Sequence, residues 1–415
     1  MCFNAMSGKK ARARKQKRER RRDANAGEAI PGLPDHLVVE HILRSEYFDD
    51  PEDLARLPAL SRGMRAAVAA TGLRFKELGE QPAVMLGCLS ALQRLQRQGR
   101  LSRQEYLCQA AARSGQLEEL KMLRADGCPW DANTCQGAAR GGNLEILQWL
   151  RANSCPWDTN TCCGAAEGGH IEVLQWARAN GCPWDEKGLL FIAAGKGREA
   201  VVRALIEAGA DINKAKNNGV TPLYIAAQVG HEAVVRALIE LSADVNKAKD
   251  TGATPLYINA QEGHETVVRA LIEAGAEVNK AKNNGVKPLY IAAQNGHEAV
   301  LRVLIESGAD VNKADDDGAT PLLVVAHFGH ETVVRALIEA GADVNKAGDI
   351  GATALLIAAQ FGHEAMVRAL IEAGADVNKA RNGATPLSAA MTPVPNVARG
   401  NHEAIVQILR DAGAV

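Results

Sequence analysis

The chain has 415 residues, 47% of them apolar but only 4% aromatic, so its core must be built from Ala, Leu, Ile and Val. No apolar run approaches the roughly 18 residues of a membrane span, and the N-terminus lacks a secretory segment, so the expectation is a soluble intracellular protein, cytoplasmic or nuclear. The formal net charge of −1 hides an asymmetry: residues 1–30 hold ten Lys or Arg against three acids, which leaves 38 basic and 46 acidic residues in the body.

The basic head contains Lys9-Lys10-Ala11-Arg12-Ala13-Arg14-Lys15-Gln16-Lys17-Arg18 and Arg20-Arg21-Arg22. It offers almost nothing to bury, which predicts a disordered tail over 1–30. The tail reads equally as a nuclear-import signal or as a solubility device. With no aromatic between its charges, it speaks against nucleic-acid contact.

Residues 31–80 form a non-repeating unit. Leu37, Val38, His41 and Ile42 follow helical spacing; Asp50-Pro51 reads as a cap and first-turn proline ahead of Leu54 and Leu57; Leu60, Met64 and Val68 make a third stripe. Three short helices are predicted. Leu33-Pro34, Leu37, Ile42-Leu43, Phe48, Asp53-Leu54, Leu57, Leu60-Ser61-Arg62 and Arg65 resemble the F-box, with Met64 where that family commonly has Trp and Ser61 where it often has Cys. The resemblance implies docking on the linker subunit of a cullin-type ubiquitin ligase through Leu33, Pro34, Leu37, Ile42, Leu54, Leu57 and Met64. The other reading is a helical cap that shields the first repeat.

From 81 to 185 a 27-residue repeat runs, marked by Cys128-Pro129-Trp130-Asp131, Cys155-Pro156-Trp157-Asp158 and Cys182-Pro183-Trp184-Asp185. Each copy has a small-residue helix (Ala138-Ala139, Ala165-Ala166), a Gly-Gly turn and an apolar second helix. Seven of the nine Cys lie between Cys108 and Cys182, which suits reduced, buried thiols better than a disulfide framework.

From 186 to 415 the period lengthens to 33. Thr221-Pro222-Leu223 recurs at Thr254-Pro255-Leu256, Lys287-Pro288-Leu289, Thr320-Pro321-Leu322, Thr353-Ala354-Leu355 and Thr385-Pro386-Leu387, with Gly-His pairs marching alongside. A strict period of this length signals stacked units. The extra residues fall in the connector, since Gly127 reaches Ala138 in 11 steps but Gly341 reaches Ala358 in 17. The copies resemble the ankyrin repeat over about residues 82–415. The resemblance implies an all-α repeat solenoid of helix pairs, with short β-hairpin fingers in the C-terminal half, that binds other proteins on its concave face and fingertips.

Local chemistry agrees with that frame. Thr before Pro supplies an N-cap oxygen and a helix start that needs no amide hydrogen, and Lys287 breaks this pattern. Gly209, Gly275, Gly308, Gly341 and Gly374 follow the second helix where a left-handed residue is wanted, and Ser242 occupies that place in its copy. Arg203/Glu207 and their counterparts, Arg236/Glu240 through Arg368/Glu372, are spaced for pairs on one helix face. The family's usual His after Thr-Pro-Leu is Tyr224, Tyr257, Tyr290, Leu323, Leu356 and Ser388 here, which removes its hydrogen bond to the turn.

Three ladders tempt a chemical reading. The repeated histidines (231 to 402) and the Cys-Pro-Trp-Asp ladder are too widely stepped for zinc, because stacked helices stand about 8–10 Å apart. The Lys row from Lys214 to Lys379 runs beside acids three residues earlier, which cancels its field. No nucleophile-base pairing or phosphate loop stands out, so no catalysis, cofactor or metal is expected.

Recognition is expected where the copies differ. Those positions are Val229, Glu262, Asn295, Phe328 and Phe361 before the Gly-His turns, and the tips Asn217-Asn218, Asp250, Asn283, Asp316 and Asp349. Phe328 and Phe361 read as a neighbouring aromatic anchor. The expected protein is a monomeric, non-enzymatic adaptor, with the unit at 31–80 on a ligase and the repeats on a substrate. A free-standing scaffold or nuclear regulatory cofactor is the alternative.

Overall fold

A computed structural model describes residues 79–392 and 399–415. The basic head, the F-box-like unit up to residue 78 with Leu33, Pro34, Leu37, Ile42, Leu54, Leu57 and Met64, and the prolines Pro393 and Pro395 of the last repeat lie outside the described residues. What is described is a succession of paired helices in two compact units, 79–168 with 172–183, and 169–171 with 184–415. None of these helices is long and apolar enough to cross a membrane.

In the first unit the pairs include Glu105–Arg113 with Leu117–Ala125 and Ala132–Gly141 with Leu144–Ala152. Asp131 starts its helix by accepting from Asn133 N at 3.0 Å, and Asp158 does the same for Asn160 N at 2.9 Å. Small residues let successive first helices approach closely. Ala138, Ala139, Ala165 and Ala166 are fully buried, and a Cβ on Gly137 would come within 2.7 Å of Gln109 O. Leu147, Leu150 and Leu174 of the second helices complete the core.

In the second unit each Thr-Pro-Leu opens a short helix: Pro222–Val229, Pro255–Glu262, Pro288–Asn295 and Pro321–Phe328, followed by Ala354–Phe361 and Pro386–Met391. Thr221, Thr254, Thr320, Thr353 and Thr385 accept from the amide three residues on, at 3.1–3.3 Å, while Lys287 makes no side-chain cap. First helices pack on first helices and second on second from copy to copy. The buried column is Leu223, Leu256, Leu289, Leu322 and Leu355, backed by the Val pairs of the second helices. Each such Leu contributes about 1.5–3 kcal/mol by leaving water.

The fingers differ from expectation. They are hairpins of turn, not of strand: Lys216 N donates to Val220 O and Gly219 N to Lys216 O, both at 2.9 Å, and this pattern recurs in the next two fingers. Three residues separate the outer partners, which leaves no length for a ladder. A single antiparallel bridge, Arg381 with Ala384, is the only extended pairing among the described residues.

Candidate functional site

The tips at Asn217, Asn218, Asp250, Asn283, Asp316 and Asp349 are all exposed. They are also interlocked. Asp250 N donates to Asn218 O (3.2 Å), Asn283 N to Thr251 O (3.0 Å), Asp316 N to Asn284 O (3.3 Å), and Asn283 Nδ2 to Asp250 O (3.0 Å). The tips therefore form a row held at a fixed step, so contacts made there cost little ordering.

At the far end of the first helices, Val229, Glu262, Asn295 and Phe328 are exposed and Phe361 is half-buried. Asn295 is bound to Gln261 O (2.8 Å). The expected pairing of Phe328 with Phe361 runs through a third ring. His327 sits edge-on to Phe328 (4.9 Å, 77°) and to Phe361 (4.4 Å, 68°). His327 stands where the preceding copies have Gln228, Gln261 and Gln294, a difference that attention to the residue just before each turn missed.

The turn histidines brace this row. His297 Nε2 lies 2.9 Å from Gln261 O and His330 Nε2 2.9 Å from Gln294 O, each reaching the first helix of the previous copy. His330 also stacks on Phe328 (6.2 Å) and His363 on Phe361 (6.4 Å). Burial pushes the His363 imidazole below its usual pKa, with its neighbours His327, His330 and His402 adding to the effect. Gly296 is fixed twice over: its φ is +76°, and a Cβ there would come within 2.7 Å of the His330 ring.

The tyrosines that replace the family's usual His keep a bond to the fingers by other means. Lys249 Nζ lies 5.3 Å over the Tyr224 ring and Lys282 Nζ 5.7 Å over Tyr257, with Lys216 likewise over Phe191 at 4.6 Å. Burial raises the Tyr224 phenol to about 12. Tyr290 breaks the series. Its phenol is raised by burial and then by the Asp315 carboxylate to which it is hydrogen-bonded.

An asparagine ladder was legible as a repeat but not as a device. Asn312 Oδ1 accepts from Asp343 N (2.8 Å) and its Nδ2 donates to Gly341 O (3.0 Å); Asn246, Asn279 and Asn345 do the same in their copies. The Lys row is tied down as well: Lys247, Lys346 and Lys379 donate to carbonyls of the preceding copy at 2.8–3.0 Å. The arginine pairs differ from expectation. Arg302 bonds Glu298 (3.1 Å) and Glu339 of the next copy (3.3 Å), not Glu306, because the stack brings a residue 37 positions on beside it. Arg203 bonds Glu199 and Glu240 in the same way.

In the first unit the connector thiols point inward. Cys128, Cys155 and Cys182 donate to Gln104, Asp131 and Asp158 carbonyls at 3.3–3.5 Å, and each lies beside a first-helix thiol: Cys108, Cys135 and Cys162 respectively. Arg124 lies 4.0 Å over Trp130, which meets Trp149 edge-on at 5.7 Å; Arg151, Trp157 and Trp176 repeat the arrangement.

A family model described as ankyrin repeats (three copies) matches residues 162–249, 190–282, 243–315 and 322–414, and a second, ankyrin repeats (many copies), matches 295–337. Together they cover more than half of the chain. The chain belongs to the ankyrin-repeat family. Ankyrin repeats mediate protein–protein interactions and are typically non-catalytic binding modules, and this chain is a protein-binding scaffold of that kind. A crystal structure of the human ASB11 ankyrin repeat domain is similar at 28% identity, covering 55% of this chain and 98% of that one with a TM-score of 0.48. No curated protein matches the ankyrin-repeat chain described here.

Proposed function

We propose that this ankyrin protein is a substrate adaptor: the helical unit at 31–80 engages the linker subunit of a cullin-type ubiquitin ligase, and the long repeats hold the protein to be modified. One observation carries the substrate half. The residues copied from repeat to repeat are occupied with caps, ladders and core, whereas those that vary, at the tips and before the turns, face solvent in register except for the half-buried Phe361. The ligase half rests on the F-box-like wording of residues 31–80. Met64 and Ser61 favour the competing scaffold reading, in which that unit is a cap.

Affinity purification of the full chain and of a chain lacking 31–80 tests the ligase half. The full chain should recover linker and cullin subunits, and the shortened chain should lose them while keeping its other partners. Failure of both chains to recover a linker subunit sinks the adaptor and leaves the scaffold.

A further inference from the structure

Along the long repeats the first finger residue changes sign. Lys216, Lys249 and Lys282 hold positive charge over rings of the first helices. The next finger begins with Asp315, whose carboxylate takes hydrogen bonds from Tyr290 and from the amides of Asp317 (3.1 Å) and Ala319 (2.8 Å). Asp316, Asp317 and, one finger on, Asp349 add exposed carboxylates. Of the lysines in these two stems, Lys346 is tied to Asn312 O (2.8 Å) and Lys313 is exposed.

The same two repeats carry two exposed large apolar side chains, where the other long repeats expose Val229 and Met391. Phe328 is 49% exposed and the tip residue Ile350 63%. The corresponding turn positions upstream hold Val229, Glu262 and Asn295. Phe328 is braced by His327 and His330, and Phe361 by His327 and His363, so these rings have already lost much of the rotamer freedom that binding would otherwise cost. Rigid aromatics at one end of the first helix and exposed carboxylates at the other complement one chemistry, a chain that carries both cationic and apolar side chains.

We propose that the surface from Asp316 and Asp317 across the helix Pro321–Phe328 to Phe328 and Phe361 takes a segment of a partner protein that brings Arg or Lys to the fingertips and an apolar side chain to the rings. This rests on the reading of the long repeats as the partner-binding part. The eight-residue helix Pro321–Phe328 is about 12 Å long. An extended segment advances about 3.4 Å per residue, so with the fingertip beyond the helix the cationic and apolar side chains stand about four or more residues apart.

The test is selection of short random peptides on the full chain, followed by titration of the enriched peptides. Enriched peptides should hold Arg or Lys about four or more residues from an aromatic or aliphatic side chain. Their affinity should fall at least about tenfold with Phe328→Ala and about threefold with Asp317→Asn, stay unchanged with Arg236→Ala, and weaken in high salt. Both site variants should retain the parent's unfolding midpoint. Acidic peptides that respond to Phe328→Ala overturn the assignment. So do peptides that ignore Phe328→Ala and Asp317→Asn but respond to changes at Val229 or Glu262, although these leave the long repeats as the binding part. No enrichment at all overturns both readings. Displacement of the selected peptides by an equal concentration of a peptide of residues 9–22 would give the surface to the chain's own basic head and overturn the partner assignment.

Discussion

In the short repeats the residue after the helical turn varies from copy to copy, Gln116, Asn143 and then His170, and Asn143 Nδ2 reaches Ala112 O (2.8 Å) and Arg113 O (3.0 Å). In the long repeats a histidine takes that place, as His297 does against Gln261 O. Both satisfy carbonyls that a helix end leaves without an internal partner. The turn requires a donor, and which side chain supplies it is free. The connectors differ more. The short ones close with inward thiols and Arg–Trp–Trp stacks, whereas the long ones close with a Thr cap, a finger and an Asn bridge to the next copy. The short design spends its connector on its own core. The long design spends it on the neighbour, and keeps tips that face solvent.

The sharpest way to break this comparison is at the turn that both designs share. Gly296→Ala meets a left-handed backbone and the His330 ring together, and should cost about 3 kcal/mol in urea unfolding. Gly275→Ala, left-handed at +86° but with open space around it, should cost only about 1 kcal/mol. Equal losses would mean that the histidine packing contributes nothing.

Next in size is the bridge. Asn312→Ala removes two bonds to the following copy and should cost about 1–2 kcal/mol in the same measurement. Lys287→Thr and Ser242→Gly should each stabilise by about 1 kcal/mol, read as a raised melting temperature. The first supplies the missing cap, and the second relieves a serine held at φ +68°. An unchanged midpoint in either variant would separate the turn chemistry from stability.

The thiols sharpen the other side of the comparison. The neighbouring thiols and burial hold Cys108, Cys155 and Cys162 above the ordinary thiol range, so native protein at pH 8 should leave them unalkylated while urea-unfolded protein labels fully, as peptide mapping would show. Unfolded, these three release protons above about pH 8.5 while folded they keep theirs, so they contribute stability below that pH that is lost as the pH rises. Cys128 and Cys182, held below the ordinary range beside Cys108 and Cys162, act in the opposite sense. The smallest effect expected is from Arg302→Ala, within about 0.5 kcal/mol, because both of its ion pairs are exposed.

The candidate surface was legible only in part. Variation between copies marked Val229, Glu262, Asn295 and Phe328 as positions free of the frame, and they are exposed. The same criterion picked Asp250 and Asn283 without revealing that they lock neighbouring tips, and, applied only to the residue before each turn, it missed His327, which joins the two phenylalanines. A period reports which residues are alike, not which ones meet.

The sequence by itself determined the helix pairs, the Thr caps, the bare N-terminus at Lys287 and the left-handed place of Ser242, because each follows from the residue and its immediate neighbours along the chain. Tertiary structure alone decided the partners of Arg302, the Lys–Tyr contacts, the thiol pairs and the ringed contact of Phe328 with His327 and Phe361. Apart from Arg302–Glu298 and the chain neighbours His327 and Phe328, those contacts join residues 20 to 37 positions apart. The separation at which they meet is set by the pitch and offset of that stack, which no local propensity encodes.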